Sequence, residues 1–422
     1  MSASETRYAL DCGSRRPPGV AAASPLAVAL FIAGCAGPTT TPPGASFTAR
    51  DSAGVQIAEN SGEPPITLTV DGPPRLDIGV AEGDPMLQLS RVVGAVFTGA
   101  GELVIANAGT SELRFFDASG SFVRTIGRQG EGPGEFTALG SIFVRGDSLV
   151  AYDRRTLRFT IFDREGELVG TTPPGDTFVG LLGDGTLISY GVTTRGMPDP
   201  GSVTRSSGIL LRHPPDGSQP DTIVRFAMND RYVHTEIPGF SERMFGRTTE
   251  LVFGDDGVLI ADNDRYELRE VRVNGSVARL TRWDRPNRPV TSVEVDAYLE
   301  RAAARYGDDP RAEMFGQTLR DQPPPAMMPA FGRSGLIRTA RPAVFRSAAG
   351  NLWVLEYVAF PDDPETWQVF DQEGRLRGAV VLPHGVEITS VGAGGLVAVR
   401  RDDLDVEHVL VFDFAAPWPA KR

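Results

Sequence analysis

Leu103-Val-Ile-Ala-Asn107, Leu113-Arg-Phe-Phe-Asp117-Ala-Ser-Gly120 and Phe122-Val-Arg-Thr-Ile126 follow one another in a single stretch. They read as three short strands, the second ending in Phe-Asp-x-x-Gly. The motif has a mechanical meaning. Asp accepts hydrogen bonds from the amides of its own turn, and Gly tolerates the positive φ needed to reverse the chain. The unit returns as Leu149-Val-Ala-Tyr-Asp153 with Phe159-Thr-Ile-Phe-Asp163-Arg-Glu-Gly166, and as Leu352-Trp-Val-Leu-Glu356 with Trp367-Gln-Val-Phe-Asp371-Gln-Glu-Gly374. A last copy, Leu396-Val-Ala-Val-Arg400 with Val409-Leu-Val-Phe-Asp413, stops after that strand. Phe116 to Phe162 is 46 residues and Phe370 to Phe412 is 42, the length of one four-stranded propeller blade.

Working outward, two weaker copies fill the middle, one around Gly185-Thr-Leu-Ile-Ser189 and Gly208-Ile-Leu-Leu-Arg212, the other around Gly257-Val-Leu-Ile-Ala261 and Leu268-Arg-Glu-Val-Arg-Val273. The expectation is an all-β, six-bladed β-propeller with blades at 89–127, 137–172, 177–227, 246–283, 340–382 and 386–414. The sixth copy lacks a fourth strand. Ile66-Thr-Leu-Thr-Val70 precedes the first blade without a partner, so this N-terminal strand is expected to close the last blade beside Val409–Phe414 and remove the sheet edges. Thr291-Ser-Val-Glu294 is a capping box, followed by Val295, Tyr298, Leu299, Ala302 and Tyr306 at helical spacing. This predicts one helix over 291–307 within an insertion, 291–339, between blades four and five. The rest of the insertion reads as irregular, serving either to shape a binding site or as a packing flap.

Bulk composition agrees. The 48 glycines and 33 prolines suit many strands joined by tight turns, and 41% hydrophobic residues can fill a large core. Cys12 and Cys35 are the two cysteines, so residues beyond 35 contain neither a disulfide nor a thiolate-bound metal. A net charge of −12 with no arginine cluster argues against a nucleic-acid partner.

The first 50 residues read as an address. Arg15 and Arg16 precede an apolar run from Val20 to Ala33, too short to span a bilayer but suited to a signal peptide. The run ends in Ile32-Ala33-Gly34-Cys35, which resembles the bacterial lipobox. That resemblance implies a lipoprotein signal peptide at 1–34 and lipidation of Cys35, leaving acyl chains as the membrane contact. Residues 35–50, rich in Pro, Thr and Gly, are expected to be a flexible tether to a domain at 51–416. Removing 1–34 takes away three arginines and two acids and leaves a net charge of −13. Such a domain is repelled by an anionic surface. Ala36, where aspartate marks inner-membrane retention in some bacteria, favours an outer-membrane location facing the periplasm or the exterior.

Gly127-Arg-Gln-Gly130-Glu-Gly132-Pro-Gly134-Glu-Phe136 between Phe-Asp blades is similar to the NHL-type six-bladed propellers. More closely, the order of Asp51-Ser-Ala-Gly54-Val, Leu76-Asp-Ile-Gly79, that glycine loop, Leu352-Trp-Val-Leu-Glu-Tyr357 and Asp402 to Phe412 resembles bacterial six-bladed propeller lipoproteins. The resemblance implies the fold and carries no activity.

Tests for chemistry return little. The glycine run leads into a strand where a nucleotide loop needs a helix, so it reads as an inter-blade turn. The histidines, His213, His234, His384 and His408, show no metal-binding spacing, unlike the three that hold zinc in peptide-amidating lyases of similar fold. Asp262-Asn-Asp264 lacks the continuation of a calcium loop. No catalytic residue or cofactor is assigned. Lactonase-type propellers hold channel calcium, but the polar residues expected here at the innermost strands are Arg91, Thr248, Glu250, Arg341, Glu387 and Thr389. Alternating arginine and glutamate point to ion pairs or an anionic-ligand pocket rather than a calcium cage. The expected function is a membrane-anchored binding or scaffold module for an envelope protein or small molecule. The alternative is a metal-dependent hydrolase or lyase at the channel mouth.

Overall fold

The computed structural model describes residues 44–414 except 174–177, 194–197, 236–237, 307–311 and 338–340; the expected signal peptide, Cys35 and most of the expected tether lie outside this set. Strands dominate, and they form six separate sheets, antiparallel except where two N-terminal strands add on in parallel. In the first blade the strands are Val92–Phe97, Leu103–Asn107, Glu112–Phe116 and Phe122–Ile126, running from the innermost outward. The Phe-Asp-x-x-Gly motif closes hairpins as its chemistry requires. Asp117 Oδ1 accepts from the amides of Ser119 at 2.8 Å and Ser121 at 2.9 Å, and Gly120 has φ +83°. Asp163 and Asp371 repeat this arrangement.

The ring closes through its cores. Each sheet is apolar on both faces, so burial demands a neighbour on either side. Buried side chains accordingly form clusters between blades one and two around Phe115, Phe136 and Phe162, and between two and three around Val150, Phe159 and Leu181. Further clusters join three to four around Leu210 and Ile260, four to five around Leu268 and Phe370, and five to six around Trp353 and Leu410. The sixth joins blade six to blade one through Val409, Val411, Leu103 and Phe116. Six sheets and six shared cores make a closed propeller.

The N-terminal strand does close the last blade, but it is not the expected one. Leu76–Ile78 pairs antiparallel with Glu407–Phe412, and Leu76 and Ile78 bury their side chains in the core shared with blade one. Residues 66–70 lie elsewhere. Thr67–Thr69 runs parallel to Leu376–Val381 and adds a fifth strand to blade five. The physical reason is burial. Each segment goes where its side chains fit: Leu76 and Ile78 fill the core between blades six and one, whereas Val70 and Leu68 pack in the core between blades five and six and Ile66 stays exposed. A hydrogen bond of 2.6 Å between His408 Nδ1 and Asp77 Oδ1 holds the register.

Upstream, Val55–Ser61 runs parallel to the outer strand Val277–Asp284 of blade four, and Ser46–Ser52 folds back on it as a hairpin. The first described strand, Ser46–Ser52, thus lies largely within the span expected as tether. The N-terminal segment walks along the outer edges of blades four, five and six in succession.

Between Val277–Asp284 of blade four and Val344–Arg346 of blade five lie two helices where one was expected. Helix α1, Ser292–Tyr306, begins with the capping box: the Thr291 amide donates to Glu294 Oε2 at 2.8 Å, and the Glu294 amide to Thr291 Oγ1 at 3.3 Å. Helix α2, Ala312–Arg320, falls in the stretch read as irregular; Gly316 within it and the prolines after it obscured its pattern. Tyr298 and Ala302 of α1 pack on Met244, Phe245, Met328 and Leu336, and Leu319 of α2 joins them. Blade three also exceeds its expected span. Its strands Val203–His213 and Asp221–Val233 form a long hairpin, with Arg205 opposite Asp230.

Candidate functional site

In antiparallel blades the turns between second and third strands share a face with the inter-blade connectors. That face carries the insertion, the upper part of the blade-three hairpin and the connector 234–248. Together they enclose a cavity of about 780 Å³ over the inner strand Thr249–Phe253 of blade four. Its wall includes six arginines, Arg154, Arg243, Arg247, Arg305, Arg333 and Arg341, against three carboxylates, Asp230, Glu242 and Glu250. Three of these arginines also have carboxylates behind the wall, Asp264 for Arg247, Glu365 for Arg333 and Glu387 for Arg341, and Asp230 serves Arg243 and Arg247.

Asp230, 2% exposed, sits at the centre of three guanidinium groups: Arg247 Nε at 2.9 Å, Arg243 Nη1 at 3.6 Å and Arg205 Nε at 3.8 Å. Burial opposes its ionisation, but the hydrogen bonds and charge of Arg247, with Arg205, outweigh that and hold its pKa below the usual carboxylate range. Arg205 also meets Asp262 at 2.6 Å, and Arg247 meets Asp264 at 3.0 Å. The Asp262-Asn-Asp264 turn thus directs its carboxylates at arginines. Arg305 donates to the carbonyls of Gly335 and Leu336, and Arg154 to that of Gly140. Among the described residues neither has a carboxylate within 4 Å.

Glu250 projects from the inner strand into the cavity. Burial raises its pKa, against the pull of Arg333 and the Ala343 amide. Arg333 is itself buried against Glu365: its Nη2 and Nε both donate to Glu365 Oε1, at 2.5 and 3.1 Å, and the two side chains are 6% and 10% exposed. Burial raises Glu365 as well, with Arg333 opposing. Trp367 Nε1 donates to the second oxygen of Glu365 at 3.1 Å.

Three of the six expected channel residues line this cavity: Thr248, Glu250 and Arg341. Arg341 reaches across to blade six and pairs with Glu387, so an expected arginine–glutamate couple is present. Thr389 instead donates to the carbonyls of Ala95 and Val397, joining blades six and one. Arg91 donates to the Ala108 carbonyl in the connector before blade one. Missed were Arg154, Asp230, Arg243, Arg247, Arg305 and Arg333. They lie in connectors, a hairpin extension and the insertion, where no repeat indicates direction. The one available signal was arginine spacing in Arg243-Met-Phe-Gly-Arg247.

The histidines are dispersed. His213 bonds Ser189 at 2.7 Å, His408 bonds Asp77, and His234 has both ring nitrogens buried without a hydrogen-bond partner. No three His, Cys, Asp or Glu side chains converge in metal-binding geometry among the described residues. The glycine run 127–134 is an inter-blade connector, where the Gly132 amide donates to Glu135 at 2.8 Å.

Residues 90–180 match a family described as a 6-bladed beta-propeller. No curated protein matches the chain. Among solved structures it is similar to a protein of Bacteroides fragilis described as exported, at 13% identity over 83% of this chain and 99% of that one, with a TM-score of 0.42. A catalytically inactive virginiamycin B lyase of Staphylococcus aureus shares 8% identity over 80% of this chain and 98% of its own, with a TM-score of 0.37. A gluconolactonase of Xanthomonas campestris shares 12% over 77% and 87%, with a TM-score of 0.36. With its six sheets, six shared cores and N-terminal closing strand, the chain is a six-bladed β-propeller.

Proposed function

We propose that this protein is a lipid-anchored binding module of the bacterial cell envelope that takes an anionic ligand in the arginine-lined cavity. The observation that carries the reading is a pair of guanidinium groups in the lining, Arg154 and Arg305, that have no carboxylate within 4 Å among the described residues, on a scaffold that is acidic overall. Guanidinium forks match carboxylate and phosphate oxygens two at a time. Arg154 and Arg305 keep donors for such a guest, since their recorded partners are backbone carbonyls. The tether and Cys35 supply the address, with the outer membrane preferred. No helix among the described residues is long and apolar enough to cross a membrane.

Titration calorimetry of the purified protein with citrate, inorganic phosphate and neutral glycerol tests this. The two anions should bind, glycerol should not, and Arg154→Ala with Arg305→Ala should weaken binding by at least tenfold. Equal heats from all three solutes would remove the proposal.

A second reading has one observation in its favour. A half-buried glutamate of raised pKa beside arginines is the arrangement of a general acid, and a channel-mouth lyase or hydrolase would place Glu250 in that role. Turnover of a lactone or ester that disappears in Glu250→Gln, while anion binding persists, would favour it.

A further inference from the structure

We infer that the face bearing the cavity is held against the bilayer and that the anion it takes is the phosphate head of a membrane lipid. The inference rests on the proposed anchor and anion site and adds the direction in which they work.

The argument starts from strand direction. Ser46 pairs with Ser61, which pairs with Asp284, the last residue of blade four before the insertion begins. The chain therefore joins the propeller at the rim of the cavity face. Eleven residues separate Cys35 from Ser46. Fully extended they reach about 40 Å at most. If the ring were turned over, the rim would stand one blade height from the surface, about 20–25 Å for strands of this length, consuming more than half the reach. With the cavity face toward the membrane the whole reach is slack.

Exposed apolar side chains lie on the same side. Among the described residues eleven large ones are exposed, and six belong to the loops, strand ends and helices of this face: Val192, Phe240, Val293, Met314, Met327 and Leu404. Val293, on the first turn of α1, is 74% exposed, and Leu404 is 77%. The others lie in blade strands or, for Ile66, beside one. Apolar tips on a tethered face suit shallow insertion between headgroups. The acidic body limits contact to those tips.

The cavity matches an amphiphile at this surface. Among the described residues, Arg154 and Arg305 are the cations of the lining with no carboxylate within 4 Å, while Tyr298, Leu319, Leu336 and Ile337 supply an apolar wall. A phosphate with the start of its glycerol backbone presents both chemistries.

The test uses full-length lipidated protein in vesicles. Val293→Cys on this face and Ala118→Cys, exposed on the opposite face, each receive a fluorophore, and spin-labelled headgroups report proximity. Quenching at position 293 should exceed that at 118 by at least threefold. Adding phosphatidylglycerol to phosphatidylcholine vesicles should increase it further, and Arg154→Ala with Arg305→Ala should remove that increment. Equal or greater quenching at 118 overturns the orientation. Flotation lost from otherwise folded protein overturns the anchor and everything resting on it. If soluble glycerol phosphate binds while phosphatidylglycerol leaves the signal at 293 unchanged, the anion site stands and the lipid headgroup is overturned.

Discussion

Asp230→Asn isolates the electrostatic centre of the site. The carboxylate is 2% exposed and faces guanidinium groups at 2.9, 3.6 and 3.8 Å. At an effective dielectric of 20 each contact has a gross attraction of roughly 4–6 kcal/mol, most of it offset by desolvation. Breaking a buried ion pair from one side costs about 3–5 kcal/mol. Asparagine keeps an acceptor for Arg247, and Arg205 and Arg247 keep Asp262 and Asp264, so the lower end, about 3 kcal/mol, is expected. Urea unfolding followed by tryptophan fluorescence is the assay. With a slope near 3 kcal/mol/M, the midpoint should fall by about 1 M. Sulfate should restore more stability to the variant than to the wild type, because three arginines have lost a shared counter-ion. A midpoint within about 0.2 M of wild type on the same urea slope, or no difference in the response to sulfate, would refute this account of the cluster.

Glu250→Gln should strengthen anion binding on the alkaline side of the series and flatten its pH dependence, measured by calorimetry across a pH series. Burial raises the folded pKa, so the wild type takes on the repelling charge only as pH rises through that raised value, whereas the variant never carries it. The same sign applies to stability: Glu250's contribution is full below its unfolded pKa and is lost as pH rises through the folded one, so the variant should gain most on the alkaline side. Gly79→Ala tests ring closure. A Cβ there would press on the Glu407 carbonyl and lie 2.9 Å from His408 Cα, whereas one at Gly72 meets nothing, so only the first alanine should lower the urea midpoint, by about 1–3 kcal/mol in stability. Arg333→Met leaves Glu365 without its guanidinium and should destabilise by about 3–5 kcal/mol, with Glu365→Gln recovering part of the loss; additive effects in this double-mutant cycle would show that the pair is not coupled.

The ring was legible in the chain because its logic is local and repeated. Phe-Asp-x-x-Gly states a hairpin through turn chemistry alone, as at Asp117 and Gly120, and strands apolar on both faces require neighbours, so blade number follows from counting. The capping box at Thr291 started a helix for the same local reason. Local reading failed where the outcome depended on fit at a distance. Ile66–Val70 has the better strand pattern, yet Leu76 and Ile78 close the ring because their side chains fill the core beside Phe116 and Val409. The cavity was decided entirely in three dimensions: Arg154, Asp230, Arg305 and Arg333 come from four separate segments, and no sequence interval records that they meet. Sequence determined the repeating unit, since each hairpin is specified by its own residues; tertiary structure decided the closing strand and the site, since both depend on which distant surfaces exclude water together.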